Sequence, residues 1–153
     1  MPESSAHTQK EQLNLRSRLA DLTWVTAWVE SLAAEHDFSP ELRFAINLCL
    51  EEALSNLIRH GYGGETDQAI AIHCSIRRAA TGAGEIAFVI EDHAPHFNPL
   101  EAAPAETAAS QTLDELTPGG QGIRLLRRFA GSLQYEPLPD GNRLTIGFSI
   151  PQS

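Results

Sequence analysis

Glu52 and Asn56 stand four residues apart in a stretch whose apolar residues recur at helical spacing, so a carboxylate and a carboxamide project from one side of a helix. A carboxylate in that place could take a proton, and a carboxamide oxygen could hold a metal ion. At about 100° per residue, Ala45, Ile46, Cys49, Leu50, Ala53 and Leu57 form an apolar arc, with Asn56 inside its flank and Glu52 at its border. Glu51 points to solvent. An amide on the buried side costs free energy unless backbone, water or a metal ion satisfies it. The competing account on this helix alone is an Asn bonded to neighbouring backbone beside a solvated Glu.

A second acid, Asp92, ends the apolar run Glu85-Ile-Ala-Phe-Val-Ile-Glu91 and opens Asp92-His93-Ala94-Pro95-His96-Phe97-Asn98-Pro99. A carboxylate at a strand end could accept a hydrogen bond from the exocyclic amine of a base, and small Ala94 leaves room for a ring; capping a turn is an equal use for it. Further on, Gly119-Gly120-Gln121-Gly122 immediately precedes the amphipathic Ile123-Arg124-Leu125-Leu126-Arg127-Arg128. Glycines let backbone approach an anion, and a helix start presents unpaired N–H groups and a positive dipole end, which together suit phosphate. A plain turn is the alternative. His60, His93 and His96, even with Cys49 or Cys74, lack zinc-ligand spacing.

These residues need a scaffold, and the pattern supplies one. Residues 1–9 are polar and expected to fray, leaving 10–153 as one domain; Gln12-Leu13-Asn14-Leu15 alternates as a short strand would. Leu19, Leu22, Val25, Val29 and Leu32, with Trp28 beside them, predict a first helix ending near residues 34–36. Ser39-Pro40-Glu41 offers a cap, a first-turn proline and a first-turn acid, so the helix bearing Glu52 and Asn56 starts there and runs to His60-Gly61. His60 falls on the apolar arc as a packed histidine near the negative end of the helix dipole. Residues 68–79 and 85–91 read as a hairpin in the middle of a sheet, turned through Thr81-Gly82-Ala83-Gly84, and 132–137 with 143–150 as a closing hairpin turned at Pro139-Asp140-Gly141-Asn142. Residues 95–118, rich in Ala, Pro, Glu and Thr, form a long loop suited to a lid.

Composition narrows the function. At 153 residues, 42% apolar and 20% charged, the chain suits one domain with a sizeable core. A net charge of −9 repels a phosphate backbone, so direct nucleic-acid binding is not expected, and an acidic nucleotide binder should use magnesium. Two cysteines in apolar runs fit a reducing cytoplasm. Neither a signal peptide nor a stretch near the ~18 apolar residues of a membrane span is present.

In order, Glu52-Ala53-Leu54-Ser55-Asn56 with His60-Gly61, then Asp92 to Pro99, then Gly119-Gly120-Gln121-Gly122-Ile123, resemble the motif series of the GHKL ATPases. The nearest resemblance is to the bacterial anti-sigma-factor serine/threonine kinases (RsbW-like), over residues 12–150. It implies a Bergerat fold: a two-layer α/β sandwich with a mixed, mainly antiparallel sheet, helices on one face and an ATP lid. The resemblance makes Glu52 the general base, Asn56 the magnesium ligand and Asp92 the acceptor from the adenine amino group. Ala94 stands beside it at the nucleotide, Gly119, Gly120 and Gly122 give the lid hinge and phosphate cradle, and Thr145 is the adenine-side threonine.

The resemblance further implies ATP and magnesium, a STAS-domain antagonist as phosphoacceptor, a sigma factor as the sequestered partner, and a homodimer. Two departures stand out. Asp92-His93-Ala94 replaces the usual Asp-x-Gly, which predicts weaker nucleotide binding wherever a positive φ is needed, and Asn98 stands where an acid is common. Three function classes follow, a kinase, a non-catalytic nucleotide-dependent binding module and, ranked last, a plain interaction domain that binds no nucleotide. A sensor histidine kinase is not expected, since no phosphoacceptor hairpin or membrane sensor is found. Arg124, Arg127 and Arg128 are expected as solvated helix-face residues, with phosphate or partner contact as their alternative.

Overall fold

The computed structural model describes residues 6–101 and 122–151, with only the backbone described at 6, 7, 122 and 123. Ser39 Oγ accepts the Leu42 N–H at 3.1 Å and Pro40 takes the first helical position, so the helix α2 spans Pro40–Asn56 and passes into a π-helical turn, Leu57–Gly61. The preceding helix α1, Leu22–His36, follows a 3-10 turn at Leu19–Asp21 and stops where Asp37 adopts the left-handed conformation, φ 57°. The predicted stripe holds at Val25, Val29 and Leu32, which are buried. Leu19 falls in the 3-10 turn and is half-buried.

Five strands make one sheet: β1 Ala6–Arg16, β2 Ala69–Ala79, β3 Gly84–Asp92, β4 Ser132–Leu138 and β5 Gly141–Ile150, ordered β1-β2-β3-β5-β4. Every pairing among them is antiparallel. The two predicted hairpins are both present, and β2 and β3 lie inside the sheet as expected. The first strand corrects the sequence-based boundary: β1 begins at Ala6 rather than Gln12, and residues 6–9 pair with Ala79 to Ile76 instead of fraying. Its outer part is polar and owes its extended form to its β2 partner, which local periodicity does not report.

Alternation sorts the sheet into two faces. Ile70, Ile72, Cys74 and Ile76 on β2, Ile86, Phe88 and Ile90 on β3, and Leu144, Ile146, Phe148 and Ile150 on β5 are buried toward the helices. Phe88 is fully buried, meets Trp28 edge-on at 5.9 Å and Phe148 at 6.2 Å, and its burial contributes about 1.5–3 kcal/mol. Burial pushes the thiols of Cys49 and Cys74 up to about 12, so both remain protonated core residues. The third helix, α3 Gly122–Phe129, rests on α2 through buried Leu126 and the edge contact of Phe129 with Phe44 at 5.7 Å. The result is the predicted two-layer α/β sandwich, with helices on one face of the sheet. No helix among the described residues is long and apolar enough to cross a membrane.

Candidate functional site

At one end of the sandwich the C-terminal part of α2, the loop after β3 and the start of β5 converge. Asp92 closes β3 and pairs with Asn142, the second residue of β5. Gly141 makes that approach possible, because a Cβ there would sit 1.7 Å from the Asp92 carbonyl oxygen and 3.0 Å from His93 Cα. Strand parity turns Asp92 and Asn142 toward the helices, where they are 5% and 3% exposed.

Two buried polar side chains need partners, and they find them in each other and in the loop. Asp92 Oδ1 accepts the Ala94 N–H at 2.8 Å and Asn142 Nδ2 at 2.9 Å. The same Asn142 amide donates to the carbonyls of Pro95 at 3.1 Å and Ala94 at 3.3 Å. Its Oδ1 accepts from the Phe97 N–H at 2.9 Å and from the Tyr135 hydroxyl. Farther along, Asn98 Oδ1 accepts the Leu100 N–H at 2.9 Å and starts a 3-10 turn at Pro99–Glu101. Arg127 on α3 donates to the Leu100 carbonyl at 3.0 Å. The first part of the expected lid is thus fastened to the sheet and to α3; the remainder, 102–118, lies outside the described residues.

Burial pushes the Asp92 carboxyl above its ordinary value, while the Asn142 and Ala94 hydrogen bonds pull it back toward ionisation. Both of these bonds use Oδ1, and the Asn142 main chain also bonds the carboxyl. The adjoining cavity, lined by Ala53, Leu57, Ile90, Asp92, Phe97, Pro99, Tyr135, Asn142 and Leu144, has a volume of about 20 Å³, room for one water. A purine ring enters it only if half-buried Phe97 or Tyr135 moves aside.

Asn56 occupies the next position round α2. Its neighbours Ala53 and Leu57 line the cavity, while Asn56 itself is 4% exposed and its Oδ1 is buried with no hydrogen-bond partner among the described residues. A buried carbonyl oxygen left this way costs about 1–3 kcal/mol, and a hard cation is a ligand that would recover it. One turn earlier, Glu52 is half-buried and lines a separate groove of about 360 Å³ with Leu19 of the 3-10 turn, Leu22, Thr23 and Thr26 of α1, Glu51 and Ser55 of α2, and Arg59 of the π-helical turn. Glu52 and Asn56 thus lie one turn apart at the end of α2, and the residues flanking Asn56 line the cavity that Asp92 also lines.

Not every expected site residue joins this cluster. Thr145 pairs with Val89 and, one residue out of phase with Leu144 and Ile146, lies on the sheet face away from the helices. The polar residue opposite Asp92 is Asn142 instead. His60 is exposed, not packed, because the π-helical turn, closed by the Tyr62 N–H on the Leu57 carbonyl at 2.8 Å, rotates it off the apolar arc. Gly61 meets the loop, with a notional Cβ 3.4 Å from Phe97 and 3.7 Å from Ala94. The strain expected at Ala94 is absent, since Asp37 alone among the described non-glycine residues has positive φ. Gly119 and Gly120 lie outside the described residues, and Gly122 opens α3. Arg124 is exposed and Arg128 lies 5.5 Å from the Phe129 ring. Sequence reasoning missed Asn142, Tyr135 and Gly141, because the register that pairs Asn142 with Asp92 leaves no local signal in the sequence.

Comparison with known proteins supplies the family. The model of the histidine kinase-like ATPase domain matches residues 15–148. The serine/threonine-protein kinase BtrW of Bordetella bronchiseptica is 31% identical over 147 residues, covering 95% of this chain and 99% of that one. Among solved structures, the histidine kinase domain of the blue-light activated histidine kinase from Erythrobacter litoralis EL346 is similar at a TM-score of 0.47 and 15% identity over 90% of this chain, which spans 61% of that one's length. The chain belongs to the histidine kinase-like ATPase family, and ATP is the nucleotide that membership implies.

Proposed function

We propose that this protein is a cytoplasmic serine/threonine kinase of a partner-switching pathway, phosphorylating a STAS-domain antagonist and sequestering a sigma factor when that antagonist does not hold it. The observation that carries the proposal is the buried oxygen of Asn56, without a hydrogen-bond partner among the described residues, one turn beyond Glu52. It is supported by 31% identity to a relative named as a serine/threonine-protein kinase.

Asp92 accepts from the adenine amino group through Oδ2, and Asn56 contributes its carboxamide oxygen to magnesium. Magnesium, when bound, neutralises charge on the phosphates; one protein ligand suffices, because this ion normally keeps water and phosphate oxygens as its others. Glu52 takes the proton of the acceptor hydroxyl as that oxygen bonds to the γ-phosphorus and the bond to ADP breaks.

The test is transfer of labelled phosphate from ATP to candidate STAS-domain proteins. Glu52→Gln is expected to lower transfer by about 10²–10⁴-fold while ATP binding changes little. Tight ATP binding by wild type with no transfer to any such partner overturns the kinase. It would leave a nucleotide-dependent binding module, the alternative favoured by the buried Ala94 methyl where a glycine is usual.

A further inference from the structure

We propose that Asn142 is a positioning residue for base recognition, fixing Asp92 so that its second carboxylate oxygen selects a purine bearing an exocyclic amine. The inference rests on Asp92 being the base acceptor, as proposed above.

The geometry leaves the Asn142 side chain no spare capacity. Its amide nitrogen faces three acceptors, Asp92 Oδ1 and the Pro95 and Ala94 carbonyls, and its oxygen faces two donors, the Phe97 N–H and the Tyr135 hydroxyl. A carboxamide offers two N–H groups and two lone pairs, so both ends are fully used. Through them one side chain ties the end of β3, the loop over the cavity and β4 together.

No other side chain of this size does the same. A threonine could donate to Asp92, but its single hydroxyl cannot also hold the Phe97 N–H and the Pro95 carbonyl. An aspartate would keep the acceptor contacts and set a second carboxylate against the first. Phe97 and Tyr135, which Asn142 holds, also line the cavity that a base must enter. The same residue therefore orients the acceptor and anchors the Phe97 main chain, leaving the Phe97 ring to turn aside when a base enters. Gly141 is what brings it there, since any Cβ at that position would collide with the Asp92 main chain.

The discriminating experiment compares ATP with purine riboside 5′-triphosphate, which lacks the 6-amino group, by calorimetry of the full chain with magnesium. Wild type is expected to prefer ATP by about tenfold or more, the value of a hydrogen bond to a charged acceptor. Asn142→Ala is expected to shrink that preference to within about threefold, chiefly by weakening ATP. Asn142→Asp preserves the shape while removing the donors, and carries the same expectation should the alanine variant fail to fold.

Equal weakening of both ligands by these variants would mean that Asn142 only supports the fold, and would overturn the proposal. So would a preference that survives in both variants while Asp92→Asn abolishes it; the Asp92 assignment would then stand without Asn142. A wild type that does not discriminate at all removes the Asp92 assignment itself, and this proposal with it.

Discussion

The two ends of the site treat buried polar groups in opposite ways. Around Asp92 and Asn142 the contacts are made within the chain: a carboxylate, a carboxamide, a tyrosine hydroxyl and the loop backbone satisfy one another. At Asn56, a carboxamide oxygen just as deeply buried faces no donor among the described residues. A satisfied cluster is stable before any ligand arrives, whereas an orphaned oxygen is a standing cost that only a ligand removes. The Asp92 end is thus satisfied before any ligand binds, whereas the Asn56 end keeps an oxygen that a ligand could satisfy.

Mutation can break this contrast most severely at the prepared end. Asn142→Leu leaves the Phe97 N–H, the Tyr135 hydroxyl and Asp92 short of partners, and is expected to cost about 2–4 kcal/mol of folding stability in urea titrations. A loss well under 1 kcal/mol would mean that the cluster is not holding this end of the fold together.

The counterpart change should have the opposite sign. Asn56→Leu removes the orphaned oxygen while keeping similar volume, so the ligand-free protein is expected to gain about 1 kcal/mol. The magnesium-dependent part of the thermal shift given by ATP should disappear in the same variant. A destabilised ligand-free variant would show that Asn56 has a structural partner, and the difference between the two ends would vanish.

Acid titration gives the smallest and sharpest distinction. Because burial raises Asp92 above its ordinary value, the folded state binds its proton more tightly than the unfolded chain does. That contribution is complete below the ordinary aspartate value and is lost as pH rises through the raised one. Urea midpoints measured upward from strongly acidic pH should show this decline in wild type, and Asp92→Asn should lack that component. His93, whose proximity lowers the Asp92 value, stays the same in both proteins.

What could be read in advance was whatever depends on neighbours in sequence. The cap at Ser39-Pro40, the helical spacing of Glu52 and Asn56, and the alternation along β2, β3 and β5 are all local, and all hold. What depends on pairing across the sheet was not legible. Thr145 and Asn142 lie on the same strand, but which of them faces Asp92 is set by register and parity, a contact between segments 50 residues apart. Asn142 also follows Pro139-Asp140-Gly141, so it reads as turn punctuation, although it belongs to the strand. His60 was misplaced because uniform α-helical spacing does not anticipate a π-helical turn. For β1, residues 6–11 carry no apolar alternation of their own.

That polar first strand has a consequence for how the protein behaves in a crowded solution. β1 and β4 are the outermost strands, and an outermost strand offers its open backbone edge to any other extended chain. Along β1, Lys10, Glu11, Gln12, Asn14 and Arg16 place charged and amide groups where an incoming strand would have to desolvate them. On β4, Pro137 supplies no N–H for such a strand to bond, and exposed Glu136 adds charge beside it. Polar and charged side chains along both outer strands therefore oppose edge-to-edge growth of the sheet.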